Sequence, residues 1–183
     1  MQHVKVPADR IGVLIGEGGE TMREIERRAE VRLDIDSENH SVRIEETGDP
    51  VTGLKAPDIV RAIGRGFAPE DALELLEDDL MMFDLIDIER ASRNKNDLER
   101  QKGRLIGKDG RTRELMEELT GARVVIYGST MGVIGMPTQV DIVRSAAEML
   151  LDGAPHGAVY SFLERKRREE LKHKGMEYHS FTG

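Results

Sequence analysis

The chain has no cysteine and no tryptophan among its 183 residues. Without thiols, disulfides and thiolate-bound metal sites are excluded. The five histidines, at positions 3, 40, 156, 173 and 179, lack the spacing of a metal-ligand set, so no metal and no other cofactor is expected. Aromatic residues make up only 4% of the chain, which excludes a sheet that stacks bases on exposed rings. No apolar run approaches the roughly 20 residues needed to cross a bilayer, so no membrane is expected as a partner. The opening segment MQHVKVP has neither the charged nor the apolar region of a secretory signal. A cytoplasmic location follows as an expectation.

The chain also lacks a basic surplus. Its formal net charge is −8, which suits a solvated acidic surface better than a phosphate-binding one. The distribution says more than the sum. Residues 70–89 hold nine acids and no Lys or Arg, whereas residues 100–113 hold six bases and one acid, Asp109. The polarised charge gives the basic window a separate interest.

That window contains one copy of a motif that occurs twice. Leu14-Ile15-Gly16-Glu17-Gly18-Gly19 returns 91 positions later as Leu105-Ile106-Gly107-Lys108-Asp109-Gly110. The same offset aligns Ile25 with Met116, Leu33 with Val124 and Ile35 with Ile126. It then shrinks, so that Ile59-Val60-Arg61 meets Ile142-Val143-Arg144 and Ala68-Pro69 meets Ala154-Pro155. A drifting offset with persistent apolar positions indicates one fold used twice with different loop lengths.

Hydrophobic periodicity supplies the elements. In the first copy a short strand at Val4 and Val6 precedes a helix to Ile15. A second helix over 20–30, strands over 31–36 and around 42–44, a loop over 47–53 and a helix over 57–67 follow, and Pro69 restarts a short helix over 70–76. In the second copy the expectations are a strand over 82–88, helices over 95–106 and 111–120, strands over 123–127 and 133–136, and a helix over 138–151. A basic helix over 158–174 comes last, with a mobile tail over 176–183. The fold class is therefore α/β (α+β). The division expected is a first domain over 1–79, a second over 80–155, and a C-terminal basic helix and tail over 156–183.

An aliphatic-Ile-Gly-x-x-Gly turn between two helices, in the order β-α-α-β-β-α, is the signature of the type I KH module, here in tandem, each copy a three-stranded sheet packed on helices with a C-terminal helical extension. The type II order would need strands and a helix ahead of the first loop, and Gly16 has only 15 residues before it. Such a module binds single-stranded RNA, clamping about four backbone nucleotides while splayed bases are read in a groove. Glycine allows the tight reversal and leaves no side chain in the way of sugar and phosphate. The helix that follows offers free amides and a positive dipole end to phosphate.

The expected RNA-binding residues are Gly107, Lys108, Asp109 and Gly110 in the second loop, Lys102, Arg104, Arg111 and Arg113 around it, and Ile106, Val124 and Ile126 as an apolar floor. Ile15, Gly16, Glu17, Gly18 and Gly19 form a secondary site. In the first copy, residues 9–22 carry only Arg10 against Asp9, Glu17 and Glu20, and carboxylates at a phosphate clamp repel the backbone. The second domain is thus expected to carry most of the affinity.

Gly103 with Gly107-Lys108 is one residue short of a phosphate-binding P-loop and is followed by Asp. Asp78-Asp79 could bind Mg²⁺ for nuclease chemistry, but no general base lies nearby in sequence, and no enzyme activity is expected. Met81-Met82-Phe83 is expected in a core.

Two segments carry a closer resemblance, GRLIGKDGRTR over 103–113 and LLDGAPHGAVYSFLERKRR over 150–168. On these the chain resembles the archaeal two-KH-domain ribosome-assembly proteins, counterparts of the eukaryotic small-subunit maturation factor called partner of Nob. The resemblance covers essentially the whole chain. It implies binding near the 3′ end of 16S small-subunit rRNA, cooperation with the PIN-domain endonuclease Nob, and contact with the alpha subunit of archaeal initiation factor two. Eukaryotic members have lost the first glycine loop, whereas Gly16 and Gly19 are kept here. The alternative is a KH adaptor subunit of another RNA-processing or RNA-degrading complex acting through protein contacts. Such subunits carry an S1-type barrel, for which no strand-rich segment is left over.

Overall fold

The computed structural model describes residues 1–182, with side chains described through Gly175. The chain builds the same unit twice. In the first, β1 (Gln2–Lys5), α1 (Ala8–Ile15), α2 (Glu20–Ala29), β2 (Val31–Asp36) and β3 (Ser41–Glu46) precede a helical turn α3 (Pro50–Gly53), α4 (Ala56–Gly64) and α5 (Pro69–Ala72). In the second, β4 (Met82–Asp87), α6 (Lys95–Ile106), α7 (Arg111–Thr120), β5 (Arg123–Tyr127), β6 (Thr130–Gly135) and α8 (Pro137–Leu151) lead into a long helix, α9 (His156–Thr182). Each sheet is antiparallel with the last strand in the middle, in the orders β1-β3-β2 and β4-β6-β5. This is the type I KH order that the sequence implied.

Each sheet buries one face against its own helices. Val4, Leu33, Val42 and Ile44 meet Leu14, Ile25, Ile59 and Ile63 in the first core, and Ile86, Val124, Met131 and Val133 meet Leu105, Met116, Val143 and Leu150 in the second. Val159 and Leu163 of α9 are fully buried in that second core, so the helix is built into the domain it follows.

The outer faces differ. In the first sheet Arg43 pairs with Asp34 at 3.0 Å, a polar face turned to solvent. The matching positions in the second sheet are Gly132 and Val125, as the strand registers show. There the outer face is covered by the first domain: Phe67, in the turn after α4, stands edge-on to Phe83 with ring centroids 6.2 Å apart. Ile134 belongs to the first domain's core. All six residues of β6 are buried, because the strand is covered on both sides.

The seam is polar at its margins. Arg65 donates to Thr130 Oγ1 at 2.7 Å and to the Tyr127 carbonyl at 3.1 Å. The Tyr127 hydroxyl donates to Asp9, which raises its pKa. Arg123 forks onto Glu74 with two contacts of 2.6 Å and lies 3.4 Å from Asp71. The acidic run over 70–89 is therefore partly spent on this junction and on Asp84, which pairs with Arg144 at 2.6 Å.

Several boundaries moved. β6 starts at Thr130, three residues earlier than expected. The loop over 47–53 contains α3, because Asp49 accepts from Val51 N at 3.0 Å and Pro50 sits at the first helical position. α4 stops at Gly64, since Gly66 at φ 106° turns the chain and brings Phe67 back to the seam. Met81 and Phe83 are half-buried at the first core while Met82 is exposed. The helical backbone of α9 continues to Thr182; the tail expected over 176–183 concerns residues outside those whose side chains are described.

Candidate nucleic-acid interface

The two Gly-x-x-Gly turns have the same backbone. Gly16, Gly18 and Gly19 lie at φ 75°, 59° and 79°, and Gly107, Asp109 and Gly110 at 77°, 54° and 76°. The amide of each first glycine closes the preceding helix, Gly16 N to Gly12 O at 2.9 Å and Gly107 N to Gly103 O at 2.8 Å. The amide of each last glycine returns to the carbonyl of the first at 3.2 Å. Three of the four positions in each turn thus have positive φ, which glycine adopts freely. Asp109 is the one non-glycine among them, of a type that tolerates this region.

The glycines of one loop are not equivalent. A Cβ on Gly107 would come within 2.7 Å of Thr112 N, whereas on Gly110 it would meet nothing within 4 Å among the described residues. Gly107 is required by packing. Gly110 leaves the mouth of the loop open at the start of α7. No described side chain caps that helix, so its first amides and dipole end face the opening.

The loop is held from behind. Thr112 is buried, and its hydroxyl lies 2.8 Å from the Tyr160 hydroxyl of α9. Arg104 donates to the Ala154 carbonyl at 2.6 Å, and His156 Nε2 lies 2.9 Å from the Arg104 carbonyl. This reciprocal latch explains the Gly153-Ala154-Pro155-His156-Gly157 segment, which ties the end of α6, next to the loop, to the start of α9. Gln101, matching Arg10 of the first copy, donates to the Leu151 carbonyl at 3.2 Å; Arg10 holds the Ile63 and Phe67 carbonyls at 2.8 Å each.

These contacts redistribute the expected site residues. Lys108 is exposed in the loop and enters none of the ion pairs among the described residues. Arg111 stands beside it, 3.9 and 3.8 Å from Glu114 and Glu118. Lys102 lies 3.7 Å from Glu99. Arg104 is turned inward to the latch, and Arg113 is bound to Glu117. Ile106 and Ile126 are half-buried beside the groove. Val124 is buried in the core at 3% exposure, so only its backbone reaches the groove. In the first copy Ile15 is half-buried, and Glu17 and Gly18 are exposed. Sequence windowing missed Arg23, one residue outside the window compared, which donates to the Gly18 carbonyl at 2.9 Å. The charge contrast between the loops is thus smaller in space than along the chain. Thr112, Tyr160 and Glu117 were also missed; Thr112 had a signal, since Thr21 follows the first loop at the same place.

Among the described residues no group of three or more His, Asp or Glu side chains could hold a metal ion. No described helix is long and apolar enough to cross a membrane.

Residues 82–168 match the family described as eukaryotic type KH-domain (KH-domain type I), and residues 1–77 match the KH domain. A KH domain-containing protein of Methanocaldococcus jannaschii is 47% identical over 91% of this chain and 74% of its own length. A protein of Emericella nidulans named pre-rRNA-processing protein pno1 is 35% identical over 75% of this chain, which spans only 55% of that relative. Among solved structures, a chain of the a/eIF2alpha-aDim2p-rRNA complex from Pyrococcus horikoshii superposes with a TM-score of 0.85 at 46% identity, covering 92% of this chain and 94% of that one.

Proposed function

The chain belongs to the family of two-KH-domain proteins that includes Pno1 and archaeal Dim2, and from that premise we propose that it is a single-stranded RNA-binding protein of small-ribosomal-subunit assembly. It holds the 3′ region of 16S rRNA chiefly through the loop over 107–110, with the loop over 16–19 as a lesser contact. The observation that carries this reading is the open turn at Gly110, with Lys108 exposed beside an uncapped helix start. The rRNA present in the Pyrococcus complex and the pre-rRNA-processing name of the Emericella relative support the ligand class. The same complex supports the alpha subunit of initiation factor two as a partner. The PIN-domain endonuclease Nob is the second partner in this reading, and the cut belongs to Nob.

Fluorescence titration of a short strand from the rRNA 3′ region tests the assignment. Gly110→Asp places a carboxylate at the phosphate position and abolishes binding, whereas Gly19→Asp weakens it little. Binding that survives the first change and is lost with the second reverses the ranking. A 3′-extended rRNA fragment incubated with this protein and Mg²⁺ stays intact; cleavage without Nob would make the chain a nuclease.

A further inference from the structure

One turn of α9 grips the second loop at both ends. Before the loop, His156 donates from Nε2 to the carbonyl of Arg104 at 2.9 Å. A carbonyl only accepts, so the ring carries its proton on that nitrogen. After the loop, the Tyr160 hydroxyl lies 2.8 Å from the Thr112 hydroxyl. Thr112 is fully buried, and its side chain fills the space that a Cβ on Gly107 would need. Four residues apart, His156 and Tyr160 share one face of the helix, with ring centroids 6.0 Å apart.

The first domain has neither grip. Ala68-Pro69 matches Ala154-Pro155, which sets Glu70 and Glu74 at the places of His156 and Tyr160. Glu70 is exposed, and Glu74 is taken by Arg123 at the domain seam. The Thr21 hydroxyl, matching that of Thr112, has no hydrogen-bond partner among the described residues. The first loop nevertheless holds three glycines, Gly16, Gly18 and Gly19, where the second holds Gly107 and Gly110.

A flexible loop orders when it binds, and the entropy lost is subtracted from affinity; holding it beforehand in the bound shape removes that loss. Glycine has more conformational freedom to lose than any other residue, so a glycine loop gains most from being held. The groups at stake are the first amides of α7, which face the mouth of the loop. We propose that His156 and Tyr160 are positioning residues for RNA binding, and that this turn of α9 fixes the two ends of the loop in the shape that receives the RNA backbone. The inference rests on the reading that RNA enters at the second loop. α9 thereby makes the two loops unequal in rigidity as well as in charge.

The test uses the full chain and the short strand from the rRNA 3′ region, titrated well below the unfolding midpoint of each variant. Tyr160→Phe keeps the ring and removes the hydroxyl, and Thr112→Val removes the other half of the bond at similar volume. Each weakens binding about fivefold, the worth of one hydrogen bond. The double variant binds no more weakly than either alone. His156→Phe has a similar effect, and His156→Gln, whose side-chain amide reaches the place of Nε2, restores binding. Amide hydrogen exchange at Gly110, whose N–H is bonded to the Gly107 carbonyl at 3.2 Å, quickens in the weakened variants and not in His156→Gln. The salt dependence of affinity keeps its wild-type slope, because no phosphate contact is lost. Thr21→Val leaves binding unchanged. A lower unfolding midpoint with affinity and Gly110 exchange unaltered would make both contacts supports of the fold alone and overturn the proposal. So would a double variant weakened by the product of the two single losses, since the hydroxyls would then act apart. If Gly110→Asp abolishes binding while the α9 variants are silent, this inference alone falls. If Gly110→Asp retains binding, the second-loop reading falls and this inference with it.

Discussion

A methyl group on Gly107 would crowd the backbone nitrogen of Thr112 at 2.7 Å, while one on Gly110 would point into open space. Both residues have positive φ, so both share the backbone cost of any substitution, but only Gly107 adds a clash against a buried neighbour. Gly107→Ala should therefore destabilise the protein by about 2–4 kcal/mol, read as a lower midpoint in urea unfolding. Gly110→Ala should cost about 1 kcal/mol from the left-handed backbone alone. An equal loss for both would show that Thr112 moves aside. This distinction was invisible in the sequence, where the two glycines of each motif look alike. The roles of Arg104 and Arg113 were equally hidden. Both sit in the basic window, yet Arg104 is spent on the Ala154 carbonyl and Arg113 on Glu117. Charge counted along a chain cannot say which guanidinium groups already have partners.

At the scale of elements, the two copies of the fold differ where they must dock. Strict alternation in VRLDID over 31–36 marked β2 as a strand with one wet face, and the structure keeps it so. The segment TMGVIG over 130–135 does not alternate, because β6 is covered on both sides and needs Gly132 where Phe67 and Phe83 approach. That absence of alternation is why the sequence pattern marks its start three residues late; a strand buried on both faces reads as a continuous apolar run. The repeat itself, the loops and the type I order were legible because turn chemistry and core periodicity are local. The docking was not, since no local pattern says that Phe67 of one copy fits against Gly132 of the other. Phe67→Ala removes the ring that fills this seam and should cost about 3–5 kcal/mol. The wild type should unfold in one calorimetric transition and the variant in two, as the second sheet loses its cover. A single transition in the variant would mean that the Arg65 and Arg123 contacts suffice to couple the domains.

At the scale of the whole molecule, the two domains dock head to tail through unlike faces. The outer face of the second sheet is apolar and covered by the first domain, whereas the outer face of the first carries the Arg43–Asp34 pair. A third copy therefore finds no matching surface, which limits the open-ended assembly that heterologous contacts invite. The net charge of −8 acts at the same scale: it opposes binding of a polyanion to the surface at large, so in the proposed reading attraction depends on the bases around the second loop. Lys102, Lys108 and Arg111 are the bases placed around that loop without an inward partner. For single strands the logarithm of affinity falls with the logarithm of salt at about −0.7 per phosphate contact, so three contacts give a slope of about −2. Lys108→Ala should reduce that slope by about 0.7. The basic end of α9 is the competing source of contacts. Its bases have surface partners, as Lys102 and Arg111 do: Lys166 lies 3.4 Å from Glu169, Lys174 3.3 Å from Glu170, and Arg167 donates to the Glu118 carbonyl at 2.7 Å. Affinities measured from 50 to 300 mM KCl separate the two sources. A slope of about −4, the value for six contacts, would mean that RNA follows α9 as well and that its ion pairs open on binding.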